Sequence, residues 1–244
     1  MENKKYTITC PECGTSIEVS RPAIINVQNN PEYKDKVLTG ELFNEKCPSC
    51  GQGLQVVSRI TYHDMEKHMM IYFRPITSQE ELKTFDYEAI RSAIEDNFKA
   101  PNYGIRVVTT VNELMEKIKI AEFGLNDGVI EIAKFVYFDI FTKQFDGVGV
   151  INIFYDRRDD KDALIFFCND GHARSICIAP EVYASIEQRF NAVVKAIYTS
   201  RVCMVGRDWA LRMIKAYSKL ESESEEQESA ADEKPEFKLL ESEN

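Results

Sequence analysis

The chain has 244 residues, 44% of them hydrophobic, enough for a substantial core, and no apolar run approaches the roughly 20 residues of a membrane helix. Its formal charge of −10 is concentrated in residues 221–244, where ten Asp or Glu face two Lys (−8); the first 220 residues carry about −2 and lack the basic stripe of a phosphate-neutralising nucleic-acid binder. The N-terminus has no apolar signal stretch, and the seven cysteines are an odd set containing two close pairs. The expectation is a cytoplasmic protein, with no membrane association, that uses its thiols as metal ligands and buried side chains rather than disulfides.

In chain order, Tyr6-Thr7-Ile8-Thr9 reads as a strand running into Cys10, and Ile17-Glu18-Val19 alternates as a half-exposed strand does. Asn30 suits a helix N-cap, Pro31 the first helical position and Gly40 the position past the end. Strands are expected at Glu41-Leu42-Phe43, at 54–60 and from His68 to Phe73, closing a first domain over 5–75. Ser78-Gln79-Glu80-Glu81 fits a capping box and opens a helical stretch reaching Phe98. A turn at 101–104 and a strand at 105–108 follow, then helices over about 111–122 and 127–143. In the second of these, Val129, Ile132, Ala133, Val136 and Ile140 recur at the spacing of a buried face.

Strands at 148–155 and 163–169 flank a charged loop at 156–162. A two-residue turn at Asp170-Gly171 leads to a third strand at 172–178 and would pair 164 with 177. Helices over 180–197 and about 208–220 complete a second, α+β domain spanning 78–220. From Glu221 to 244 the acidic, apolar-poor composition predicts a disordered tail. The fold class is therefore segregated α+β: an N-terminal four-cysteine, ribbon-like β region, a helical stretch, an antiparallel meander and C-terminal helices.

The chemistry is concentrated in two repeats, Cys10-Pro11-Glu12-Cys13-Gly14 and Cys47-Pro48-Ser49-Cys50-Gly51. Two cysteines separated by two residues turn both sulfurs onto one ion only if the backbone curls tightly. Proline fixes one dihedral of that curl, and glycine supplies the freedom to leave it. Four thiolates from two such knuckles make a closed tetrahedral site that suits Zn²⁺, with Fe the lesser alternative, and leave no open position for a catalytic water. A reversible disulfide within each pair competes less well, because neither pair opens a helix that would lower a thiol pKa.

These knuckles resemble those of the CpXC protein family. Ile25-Asn26-Val27, Asn30-Pro31-Glu32, Gly40-Glu41-Leu42-Phe43 and Tyr62-His63-Asp64-Met65-Glu66-Lys67 are similar to that family too. The likeness covers residues 6–75, with weaker echoes at Arg106-Val107-Val108 and Glu116-Lys117-Ile118. It implies a zinc-ribbon-like N-terminal region and no particular reaction.

Elsewhere the chemistry is sparse. His63 beside Asp64 is the one place where a histidine adjoins a carboxylate, but strand neighbours point to opposite faces, so a structural role is expected. No nucleophile elbow or phosphate loop is present. Cys168, Cys177 and Cys203 read as buried thiols, and the aromatic run Phe135-Val136-Tyr137-Phe138 with Phe141 as core or, failing that, a homodimer surface. The expected function is a non-catalytic zinc-stapled scaffold that binds a protein partner. The alternatives are a hydrolase or nuclease-like enzyme using His63 and Asp64, and a transcription-linked nucleic-acid-binding ribbon. Only Lys46 and Arg59 lie near the knuckles to support the last.

Overall fold

A computed structural model describes residues 3–98, 103–197 and 202–232. It is mixed α+β. Two hairpins form the N-terminal ribbon: β1 (Asn3–Thr9) pairs antiparallel with β2 (Ser16–Pro22), and β4 (Asn44–Lys46) with β5 (Gly53–Gln55). Between them lie β3 (Ile24–Asn26) and α1 (Glu32–Leu38). After the second hairpin, β6 (Ile60–Asp64) and β7 (Met69–Phe73) form an antiparallel pair. Helices α2 (Gln79–Thr84) and α3 (Tyr87–Asn97) then lead to β8 (Gly104–Val108).

Five strands join in the order β12-β8-β7-β6-β3, where β12 is Val202–Cys203. Side chains alternate across a sheet, and here both faces are used. Ile25, Tyr62, Ile71 and Phe73 pack with Val37 of α1 and with Leu114 and Ile118 of α4 (Val111–Glu122). Met70, Ile105, Val107 and Val202 pack with Ile94 of α3 on the opposite face.

A second core follows. The meander runs β9 (Val150–Arg158), β10 (Lys161–Cys168) and β11 (Ala173–Cys177), in the order β11-β10-β9. Its inner residues Tyr155, Leu164 and Phe166 pack on α5 (Asp127–Gln144), α6 (Pro180–Ile197) and α7 (Arg207–Asp232). The Phe141 and Phe166 rings stack at 4.4 Å between centroids, a close aromatic pair at the centre of this layer.

Several expectations are corrected. The boundary at 75–78 does not close a domain: β8 and β12 lie beyond it yet complete the sheet that β3, β6 and β7 begin. Glu41–Phe43 is a 3₁₀ turn rather than a strand, entered through Gly40 at φ 76° and burying Leu42 and Phe43. The strand expected over 54–60 is split, leaving 56–59 irregular. In α5, Val129, Ile132 and Ala133 are buried as expected, but Val136 (40% exposed) and Ile140 (43%) face outward, and Ile130, Tyr137 and Phe141 complete the buried face instead. The charged segment 156–162 is mostly strand, with the reversal confined to Asp159 and Asp160 at positive φ. The next turn has three residues, so Leu164 pairs with Ile176 and Cys177 with Ala163, one step from the expected register. Cys177 is accordingly exposed, while Cys168 and Cys203 are buried.

The last helix passes Glu221 and continues to Asp232. Glu, Gln and Ala are good helix formers, and no Gly or Pro interrupts the run before Pro235. Residues 233–244, the rest of the expected tail, lie outside the described residues, as do positions 101 and 102 of the expected turn.

Candidate metal centre

Each knuckle caps one hairpin of the ribbon. At the first, Gly14 N–H donates to Cys10 C=O and Cys10 N–H to Thr15 C=O, both at 2.9 Å; at the second, Gly51 and Cys47 repeat the pattern with Cys47 and Gln52 as acceptors. Gly14 (φ 72°) and Gly51 (φ 77°) occupy the left-handed conformation that lets the chain leave the curl. One cysteine of each pair, Cys10 and Cys47, is buried, and the other, Cys13 and Cys50, is exposed.

The four sulfurs all lie within 4.8 Å of one another. Cys10 and Cys50 are 3.7 Å apart, and Cys13 and Cys47 are 3.6 Å apart. Disulfides require about 2.05 Å, so the cysteines are joined across the knuckles without being bonded. Four thiolates at about 2.3 Å from one tetrahedral ion would stand about 3.8 Å apart, so the sulfur cage fits a metal ion. Its electrostatics favour a cation too. Thr15 beside Cys13 draws that thiol down to about 6. At Cys50 the Gln52 backbone contact favours the thiolate, yet desolvation and the three neighbouring sulfurs push the thiol up to about 12. Four sulfurs this close are all ionised together only around positive charge.

His63 and Asp64 do not form a unit. His63 Nε2 lies 3.1 Å from the Tyr103 hydroxyl, and burial depresses its pKa against the pull of Asp64. The Asp64 carboxylate is 3% exposed and accepts hydrogen bonds from Gln28 Nε2 (2.9 Å) and Lys67 N–H (3.0 Å). It closes the β6–β7 turn, as strand alternation anticipates. His68 occupies that turn at φ 47°, and His172 is exposed at the start of β11.

A buried ionic chain between α4 and α5 was not anticipated from sequence. Arg106 holds Asp127 with two bonds, Nε to Oδ2 at 2.7 Å and Nη2 to Oδ1 at 2.9 Å. Lys117 lies 3.4 Å from Asp127 and 3.2 Å from Glu131, and Lys134 bridges Glu131 at 2.8 Å to Glu116 at 2.9 Å. Glu116 also accepts the Tyr155 N–H, covering part of the outer edge of β9. Burial alone would raise the Asp127 pKa, but Arg106 and Lys117 hold it well below the carboxylate range. Burial likewise opposes the Lys117 charge, which Glu131 and Asp127 restore and strengthen. Three cations and three carboxylates cancel. A cleft of 590 Å³ opens beside Arg106 and Asp127 and is walled by Phe190 and Trp209; its charged pair is already mutually satisfied.

Among the described residues, no helix is long and apolar enough to cross a membrane. No curated protein and no solved structure matches the sequence. The profile of the CpXC protein family matches residues 8–134, which takes in both knuckles, the central strands β3, β6, β7 and β8, α4 and the start of α5. With 127 of its 244 residues matched, the chain belongs to the CpXC protein family.

Proposed function

We propose that Cys10, Cys13, Cys47 and Cys50 hold one structural Zn²⁺ and that the protein is a non-catalytic, zinc-stapled scaffold for a protein partner. The observation that carries this reading is the sulfur cage, with 3.6 and 3.7 Å separations close to those of tetrahedral tetrathiolate zinc. Bound there, zinc would lock the two hairpins together and supply folding energy rather than a reactive water, because four protein ligands fill its coordination sphere. The separation of His63 from Asp64 favours this over the hydrolase or nuclease-like alternative.

Elemental analysis of purified protein tests the metal: one zinc per chain is expected, falling to a small fraction in Cys13→Ser. Iron as the recovered metal, or a full zinc complement in the variant, overturns the assignment. The scaffold role is tested separately by affinity capture with the metal-loaded protein and with Cys13→Ser. A partner retained by the first and lost by the second is expected; no specific partner at all counts against the role while leaving the metal site standing.

A further inference from the structure

Thr15 Oγ1 lies 3.2 Å from Cys13 Sγ and 3.1 Å from Ser49 Oγ. Among the described residues, Thr15 is the only side chain apart from the cysteines themselves in hydrogen-bond contact with a knuckle sulfur. The two oxygens come from different knuckles: Thr15 follows the first, and Ser49 sits inside the second. Cys13 Sγ is also 3.6 Å from Cys47 Sγ. Cys47 and Ser49 are two residues apart, so the second knuckle reaches Cys13 by two routes, directly through sulfur and indirectly through the Ser49–Thr15 hydroxyl pair.

The two knuckles differ at this point. Thr15 and Gln52 hold equivalent places, each following the knuckle glycine and each accepting the N–H of that knuckle's first cysteine through its backbone C=O. The Gln52 side chain turns away and donates to Gly53 C=O at 3.3 Å, whereas the Thr15 side chain turns to the cage. Cys13 is exposed, so packing does not hold it as it holds the buried Cys10 and Cys47.

A thiol can donate to the Thr15 oxygen, but the thiolate that a metal requires can only accept. Hydroxyls donate and accept and rotate to suit. Both can therefore turn together, Ser49 O–H donating to Thr15 Oγ1 and Thr15 O–H donating to Cys13 Sγ. Four thiolates bring more negative charge than Zn²⁺ cancels, and a hydrogen bond donated to sulfur offsets part of the excess while fixing the ligand's direction. We propose that Thr15, anchored by Ser49, is a positioning residue that orients Cys13 as a metal ligand and raises the affinity of the cage for its metal. This rests on the four-cysteine metal reading and extends it to two residues outside the ligand set.

The test titrates the reduced, metal-free full-length chain with Co²⁺, whose tetrathiolate complex has its own absorption spectrum, and then displaces it with Zn²⁺. Thr15→Val keeps the shape of the side chain and removes the hydroxyl, and Thr15→Ser restores it. Thr15→Val is expected to bind both ions about 10-fold or more weakly while its metal-loaded circular-dichroism spectrum matches wild type. Thr15→Ser should recover most of that loss, and Ser49→Ala should fall between wild type and Thr15→Val. Wild-type affinity in Thr15→Val, or a Thr15→Ser variant as weak as Thr15→Val, overturns the inference while the metal site stands. Wild-type affinity in Ser49→Ala overturns the anchoring role of Ser49. A wild-type chain that gives no tetrathiolate cobalt spectrum overturns the metal reading and this inference together.

Discussion

At the scale of single residues, the sharpest constraint outside the knuckles is Gly128, in the first turn of α5. A Cβ there would come within 2.6 Å of the Trp209 ring, closer than real Cβ contacts allow. Alanine normally favours a helix interior by about 1 kcal/mol over glycine, so the sign depends on whether Trp209 can yield. Trp209 is 4% exposed and lies within the second core. Overpacking such a site costs about 1–3 kcal/mol. Gly128→Ala is therefore expected to lower the urea midpoint, with reduced Trp209 ring packing visible in fluorescence; a raised midpoint would show that the ring moves freely. Asp159 and Asp160 invite the opposite change. Both have positive φ in a two-residue reversal, where Asn-Gly is preferred. Replacing the pair by Asn-Gly should stabilise the hairpin by about 0.5–1 kcal/mol, measured as a higher urea midpoint with an unchanged slope.

At the scale of elements, the knuckles, the three meander strands and most helices are legible because each rests on a local signal: a motif, an alternation, a cap. On α5 the expected stripe holds at Val129, Ile132 and Ala133 and fails at Val136 and Ile140, because that helix is apolar nearly all round and periodicity then gives several faces equal weight. The β10–β11 register slipped because Asp-Gly suggested two residues where Asn169 makes a third. The ionic chain joining α4, α5 and β8 was invisible for a different reason: charged side chains in sequence read as solvent-facing until a partner from another element is known.

That chain makes a pH prediction. Asp127 has a depressed folded pKa, so its contribution is present above the unfolded value of about 3.9 and is lost as pH falls below it. Asp127→Asn would leave Arg106 and Lys117 short of a counter-charge, a loss of about 3–5 kcal/mol near neutrality. Urea midpoints for the two proteins should differ most above pH 5 and converge as pH falls below 4. Glu116 slopes the other way, because burial raises its folded pKa: stability decreases as pH rises from the ordinary Glu value through the raised one, and Glu116→Gln should remove that component of the profile. A constant gap between wild type and Asp127→Asn across pH 3–7 would mean that the carboxylate is not linked to folding in this way.

At the scale of the whole molecule, the sequence could not disclose that β7 and β8 are neighbours, because their parallel pairing is made across two intervening helices and has no local signature. Its consequence is that the sulfur cage and the central sheet hold together different parts of one continuous fold. The sulfur cage ties β1–β2 to β4–β5, and neither hairpin belongs to the five-stranded sheet. That sheet has cores on both faces, built from α1 and α4 on one side and α3 on the other. If the cage holds the proposed zinc, chelation should therefore raise amide exchange most at residues 3–22 and 44–55, by about 10-fold or more, as local opening free energies there fall. Residues 69–73 and 104–108 should keep their protection. A fragment beginning at residue 78 should fare worse than the chelated full chain, because β8 would lose β7 and expose Ile105 and Val107, now 3% and 1% accessible. It is expected to show the broad, non-cooperative melting of a loosely packed state. Cooperative folding by that fragment, with exchange protection at 104–108 equal to the full chain, would restore the division at residues 75–78 that the shared sheet contradicts.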